Sequence, residues 1–194
     1  MIEQSIRHYY QAIFVDPAAV WISRWISPNG ITYLSGTLGI LVLPALWFDF
    51  VGLAVVLLIL SGYCDTLDGS IARALNQVSD WGSALDIVMD RLVEIVVVFA
   101  LYSVDPGARG VWCLLMLSSM LLCITSFLVV GIFSENHSHK SFHYSAGFME
   151  RAEAFVFFVV MMIWPSFFGL LALLFSVLVF VTAFIRLKQF RFQS

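Results

Sequence analysis

The chain has 194 residues, of which 61% are hydrophobic and 12% are charged, and its mean hydropathy is +0.94. Soluble domains carry about 25% charged residues, so this composition excludes a soluble globular protein and predicts an integral membrane protein of the all-α class. The formal net charge of −3 gives no reason to expect a nucleic-acid partner. A chain of this length has room for about six spanning helices of about 20 residues each, so we expect a single domain over residues 1–194.

The first predicted element is an N-terminal amphipathic helix over residues 4–26 that lies in the membrane interface. Aromatic side chains such as Tyr9, Trp21 and Trp25 are mixed there with Arg7 and Arg24. This mixture is typical of helices that rest on a bilayer surface rather than cross it.

Six apolar runs follow and predict six transmembrane helices, over residues 31–48, 51–75, 81–104, 111–133, 148–164 and 167–186. The connections on one side, 49–50, 105–110 and 165–166, contain only one basic residue, Arg109, whereas the other nine of the ten lysines and arginines lie at or near the opposite ends. By the positive-inside rule, that basic side and both termini face the cytosol. We expect a bacterial-type plasma membrane.

Two consecutive predicted spans carry acidic stripes. Offsets of three, four and seven residues place one set on a single face of the first helix: Asp65, Asp68, Gly69 and Ala72. A spacing of four does the same on the next helix for Gly82, Asp86, Asp90 and Glu94. Facing each other, the stripes would form a cage of carboxylate oxygens. Asp80, in the turn between the spans, is expected to cap the following helix instead.

The caged aspartates predict a site for two divalent cations. Like charges at short range cannot all stay ionised without compensating cations, and ligands made only of oxygen suit Mg²⁺ or Mn²⁺. Two such ions can clamp a phosphoryl group on both sides. Gly69 and Gly82 would leave room for a ligand beside the carboxylates, or would only allow close helix packing. Arg73 could pair with Asp68, bind a phosphate or merely set the topology.

The spacing of these residues resembles the signature of the CDP-alcohol phosphotransferase family. Eight fixed positions match over 26 residues: Asp65, Asp68, Gly69, Ala72, Arg73, Gly82, Asp86 and Asp90. The resemblance implies a membrane-embedded transferase that moves a phosphatidyl group from a CDP-linked lipid, commonly CDP-diacylglycerol, to the hydroxyl of a small alcohol and releases CMP. It also implies a homodimer whose active sites open to the cytosol.

The resemblance further implies residue roles. Asp65, Asp68, Asp86 and Asp90 would hold the two divalent ions, and Asp90 would also be the general base. The CDP-lipid would contact Asp65, Asp68, Gly69, Ala72, Arg73 and Gly82. The segment from Ser27 to Thr32 resembles the family's P-N-x-x-T element near the cytidine, which adds Asn29 and Thr32, although either residue could simply cap the first spanning helix.

The acceptor alcohol stays open between an inositol phosphate and glycerol 3-phosphate. The pair Asp90-Arg91, followed by Glu94, resembles branches of the family that include inositol-phosphate-using enzymes. Arg91, Arg151 and Lys140 are candidates for binding an acceptor phosphate. Lys140 lies in a polar loop over residues 134–146 whose three histidines favour a solvated segment over a metal site, because their spacing fits no regular ligand geometry.

Two other classes place aspartates inside a membrane. A cation-coupled transporter is the main alternative, but such carriers often have repeated halves, and this sequence has no second copy of the acidic stripes. Intramembrane prenyltransferases resemble larger helix bundles, and their aspartate spacing differs from the one here.

Overall fold

The computed structural model describes residues 15–133 and 149–193, and the secondary structure of these ranges is entirely helical. This confirms the all-α class. The helices in chain order are α1 (Asp16–Ile22), α2 (Pro28–Ile40), α3 (Val42–Trp47), α4 (Val51–Ala74), α5 (Asp80–Val104), α6 (Pro106–Phe133), α7 (Arg151–Ile163) and α8 (Phe168–Gln193). A single 3₁₀ turn, Pro165–Phe167, precedes α8.

Four helical segments in the described ranges are long and apolar enough to cross a membrane: Pro28–Trp47, Val51–Ala74, Pro106–Phe133 and Pro165–Phe192. The protein is therefore an integral membrane protein. Helix α5 has 25 residues but carries several charged side chains. Helix α7 has 13 residues, which make about 20 Å of helix. Whether α5 and α7 span the bilayer, as the six-span arrangement requires, stays a prediction.

The first predicted span, over residues 31–48, consists of two helices rather than one. Helix α2 ends at Ile40 and α3 begins at Val42, with Leu41 between them. Pro44 explains the interruption, because a proline cannot donate to the carbonyl four residues earlier and its ring clashes with that carbonyl, here that of Ile40.

Serines begin two of the helices that carry the predicted site. Ser27 accepts a hydrogen bond from the Gly30 backbone N–H (3.2 Å) at the start of α2. The cap of α2 is therefore neither Asn29 nor Thr32. Ser79 accepts from the Gly82 N–H (3.1 Å) at the start of α5. Asp80, expected to be that cap, is instead the first residue of the helix, where its negative charge interacts favourably with the helix dipole.

Helix α6 begins at Pro106, so most of the loop expected over residues 105–110 is helical. Asp105 stabilises the start of α6, because its Oδ1 accepts a hydrogen bond from the Ala108 N–H at 3.0 Å. Arg109 is buried, with 8% of its surface exposed. Its Nη1 donates to the Leu101 carbonyl (3.0 Å), and its guanidinium lies 4.7 Å from the centre of the Phe168 ring. This arginine therefore ties α5, α6 and α8 together.

Helix α1 covers part of the predicted interfacial helix over residues 4–26, and residues 4–14 lie outside the described ranges. Ala19 of α1 packs in a small buried cluster with Ile31 of α2 and with Leu67 and Ile71 of α4. The end of α4 that α1 covers also carries the first acidic stripe.

Helix α2 packs against both α4 and α5. The approach to α5 is close at two glycines. A Cβ atom on Gly39 would lie 2.4 Å from Val93 Cγ2, and one on Gly36 would lie 2.9 Å from Met89 Sδ. Met89 and Val93 each lie three residues after an aspartate of the second acidic stripe, so this contact sets how near that stripe comes to α2.

We predict that Gly39→Ala lowers the free energy of unfolding by about 1–3 kcal/mol, because the stiff Val93 side chain has little freedom to yield. Thermal unfolding in detergent measures the effect. The control is Gly52→Ala, since a Cβ there meets nothing within 4 Å and alanine is the better helix former. Equal unfolding temperatures for the two variants would contradict the prediction.

Candidate active site

The two acidic stripes meet across a gap between helices. The backbones of α4 and α5 hardly approach each other, whereas α2 and α7 each pack against both. Asp65, Asp68 and Asp86 each direct a carboxylate oxygen into this gap, and the three oxygens lie within 4.8 Å of one another. Asp68 is 5% exposed, and the other two are partly exposed. The predicted oxygen cage is present for these three aspartates.

The fourth aspartate belongs to a neighbouring ion-pair group. Asp90 Oδ1 accepts from Nη1 of Arg151, and the same nitrogen pairs with Oδ1 of Asp65. Asp65 is thus a member of both groups. The structure brings all four predicted aspartates together, with Arg151 in contact with both Asp65 and Asp90.

Arg151 is held in place by its own helix. It is the first residue of α7, where Glu150 and Glu153 form a capping box. The guanidinium also lies 5.1 Å from the centre of the Phe155 ring, one turn further along, which is a favourable cation–π arrangement. The capping box fixes the start of α7, and the ring contact holds the guanidinium beside the helix.

The segment at the start of α2 lies against both stripes. Thr32 is 4% exposed, and its hydroxyl donates to Asp68 Oδ2 at 2.6 Å. A Cβ atom on Gly82 would lie 3.4 Å from Asn29 Oδ1 and 3.2 Å from Ser79 Oγ. The structure therefore places Asn29 and Thr32 beside the residues of the longer motif. Asp68, the partner of Thr32, lies 36 residues further along the chain.

Gly69 and Arg73 adjoin on the accessible side of α4. Arg73 is exposed, and its Nη2 donates to Ser70 Oγ at 3.1 Å. A Cβ atom on Gly69 would lie 3.3 Å from Arg73 Nη1. Among the three roles considered for Arg73, pairing with Asp68 is not observed, because the guanidinium donates a hydrogen bond to Ser70 instead. Ala72, between them in sequence, is partly exposed.

Two of the three basic candidates for an acceptor site have acidic partners. Arg91 pairs with Glu94, which is 3% exposed, and Arg151 pairs as described above. Lys140 lies outside the described residues. The Arg91–Glu94 pair was not foreseen, although opposite charges three residues apart on a helix signal such a contact.

The donor set suits a divalent metal. Asp65, Asp68 and Asp86 offer only oxygen ligands at mutual distances that one ion can bridge. Oxygen ligands of this kind select hard cations over those that prefer sulfur or imidazole.

Comparison with known proteins shows similarity to one protein family and to two bacterial proteins. Residues 25–185 match the protein family described as CDP-alcohol phosphatidyltransferase. The inner membrane protein YnjF of Escherichia coli is 30% identical over 171 residues, which cover 83% of this chain and 81% of that protein. The phosphatidylinositol phosphate synthase of Streptomyces avermitilis is 28% identical over 82% of this chain and 66% of its own length.

Solved structures show the same fold. The Mycobacterium tuberculosis phosphatidylinositol phosphate synthase (PgsA1) with CDP-DAG bound aligns with a TM-score of 0.75 at 19% identity, over 91% of this chain and 93% of that one. The same enzyme in complex with manganese and citrate aligns with a TM-score of 0.76.

We predict that Arg151→Met lowers the free energy of unfolding by about 3 kcal/mol, because it leaves Asp65 and Asp90 without their shared cation. Thermal unfolding in detergent, with Arg24→Met at an exposed position as the control, measures the loss. Saturating Mn²⁺ should stabilise Arg151→Met more than it stabilises the wild type, because a divalent ion supplies the lost positive charge. A variant that unfolds like the control would show that the pairs contribute nothing.

Proposed function

The chain belongs to the CDP-alcohol phosphatidyltransferase family, and we propose that it transfers the phosphatidyl group of CDP-diacylglycerol to the hydroxyl of a small alcohol phosphate. The carboxylate oxygens of Asp65, Asp68 and Asp86, within 4.8 Å of one another, carry this proposal. The family match spans residues 25–185. It favours an enzyme over a cation-coupled transporter, which was the alternative function for a protein with intramembrane aspartates. The products are the new phospholipid and CMP.

The metal in this proposal is a pair of Mg²⁺ or Mn²⁺ ions, held by Asp65, Asp68 and Asp86 together with Asp90. When bound, the ions neutralise charge on the diphosphate of the CDP-lipid. Two observations support the set: the mutual distances of the first three carboxylates and the position of Asp90, which shares Arg151 with Asp65.

Asp90 is the proposed general base. Its carboxylate accepts the proton of the acceptor hydroxyl as the alcohol oxygen bonds to the phosphorus that carries the diacylglycerol. The bond from that phosphorus to the CMP oxygen breaks, and CMP departs. Arg151 supports this role by fixing the orientation of the Asp90 carboxylate through Oδ1.

The nucleotide end of the CDP-lipid is proposed to lie where α4 ends and α5 begins. Gly69, Ala72 and Gly82 supply small side chains there, and Arg73 and Asn29 supply polar ones. Support comes from the exposure of Arg73 and from the closeness of Asn29 to Gly82. This end of the site faces the cytosol in the proposed topology. The homodimer implied by the family resemblance stays a prediction.

An inositol phosphate is the first acceptor to test. The relative in S. avermitilis is named a phosphatidylinositol phosphate synthase, and one in Pyrococcus horikoshii, 32% identical over 41% of this chain, is named an archaetidylinositol phosphate synthase. Arg91, Arg151 and Lys140 are the cations proposed to bind the acceptor phosphate, because guanidinium groups bind phosphate through paired donors and a lysine ammonium binds it as a point charge.

We predict that purified protein in detergent with CDP-diacylglycerol and Mg²⁺ releases CMP only when an acceptor is present. The panel consists of inositol 1-phosphate, glycerol 3-phosphate, myo-inositol, serine and no acceptor, and CMP is measured by chromatography. Excess EDTA should abolish release, and added Mn²⁺ or Mg²⁺ should restore it. Acceptor-independent or chelator-resistant release would contradict the proposed reaction.

Asp90→Asn should lower CMP release by at least about 10²-fold, the usual contribution of a positioned general base. Asp80→Asn is the matched control, since Asp80 is exposed in the first turn of α5 and outside the proposed machinery. Both variants should purify in wild-type yield. Release by Asp90→Asn at the rate of the Asp80→Asn control would remove Asp90 from the role of base.

A further inference from the structure

Helices α2 and α4 are joined by buried polar contacts on the face that leads to the aspartates. Ser35 Oγ donates to the Ser61 carbonyl at 2.8 Å, and Ser61 Oγ donates to the Ser35 carbonyl at 2.9 Å. The two serines are 2% and 0% exposed. One turn nearer the start of α2, Thr32 donates to Asp68. The two helices are therefore fixed at two points along the same face.

The serine contact sets the register of α4 against α2. Ser61 and Asp68 lie seven residues apart, which is two helical turns, so they lie on the same face of α4. Because each serine donates to a carbonyl of the opposite helix, a shift of one helix along the other would break both bonds at once. Buried hydroxyls without partners are costly, so the pair fixes the position of Asp68 along α4 relative to Thr32.

The Thr32 hydroxyl has one proton and two acceptors within reach. Asp68 Oδ2 is 2.6 Å away, and the Pro28 carbonyl is 3.2 Å away. Hydrogen bonds to a carboxylate are shorter and stronger than those to a neutral carbonyl, so the proton lies toward Asp68. The bond engages Oδ2, and a carboxylate that accepts one hydrogen bond keeps lone pairs with which it can ligate a cation.

We propose that Thr32 is a positioning residue that orients Asp68 for a divalent cation, rather than a contact of the CDP-linked lipid. This inference rests on the proposed function, since it assumes that Asp68 is a metal ligand. Thr32 is buried beneath the carboxylate at 4% exposure, and its single donor is already engaged. Partners that orient metal ligands in this way typically contribute 10–100-fold to metal affinity.

The test measures Mn²⁺ binding by the loss of the electron paramagnetic resonance signal of free Mn²⁺, with purified protein in detergent and no substrate. Thr32→Val removes the hydroxyl and keeps the shape, and it should weaken Mn²⁺ affinity about tenfold or more. Thr32→Ser keeps the donor and should bind Mn²⁺ close to the wild-type affinity. Thr37→Val is the matched control, because Thr37 lies on the same helix and its hydroxyl donates to the Tyr33 carbonyl of its own helix at 2.8 Å.

A second measurement separates the two roles of Thr32. At saturating Mn²⁺, the KM of Thr32→Val for CDP-diacylglycerol should equal that of the Thr37→Val control. Thr32→Ala, which removes the same donor, replaces Thr32→Val if that variant does not purify as a single species. Mn²⁺ affinity equal to the control, or a raised KM for the CDP-lipid with unchanged Mn²⁺ affinity, would overturn the inference. Wild-type protein that binds no Mn²⁺ would overturn the proposed function and this inference with it.

Discussion

Negative charge held between two helices of a membrane protein is the constraint on which the rest of the structure depends. Carboxylates in a region of low dielectric need partners, since isolated charges there are costly. Each partner comes from a different place: Thr32 of α2 donates to Asp68, Arg151 of α7 pairs with Asp65 and Asp90, and Arg91 of α5 pairs with Glu94. The site is therefore assembled by the packing of α2, α4, α5 and α7 together.

Helix α2 has a larger part in this assembly than its few motif residues indicate. Its hydroxyls fasten α4 through Asp68 and Ser61, and its glycines let α5 approach until Val93 fills the place of a Gly39 side chain. One helix thus sets the positions of both acidic stripes. Substitutions that disturb the packing of α2 should therefore alter the proposed metal site even when the aspartates themselves are unchanged.

Helix-face arithmetic on the sequence was sufficient to place Asp65 with Asp68 on one face and Asp86 with Asp90 on another, because the spacing of a helix is local and regular. The contact of Arg151 with Asp90 joins residues 61 positions apart, and no local pattern signals it. Pro44 indicates the break near Leu41, but the uninterrupted hydrophobic run over residues 31–48 predicts a single helix. Asn29 or Thr32 for α2 and Asp80 for α5 are candidate caps by sequence, whereas Ser27 and Ser79 cap these helices, because several polar residues lie near each helix start and only the geometry selects one.

The arginines show how a buried cation can serve structure or the proposed chemistry. Arg109 donates to the Leu101 carbonyl near the end of α5 and stacks on Phe168. These contacts stabilise the junction of α5, α6 and α8. It is the one basic residue that departs from the predicted cytosolic bias, and it is buried in contacts between helices rather than exposed. Arg151 stacks on an aromatic ring in the same way, but its donors meet carboxylates instead of a carbonyl. A cation bound by Asp65 would share that carboxylate with Arg151, so metal affinity and the strength of this ion pair must be linked.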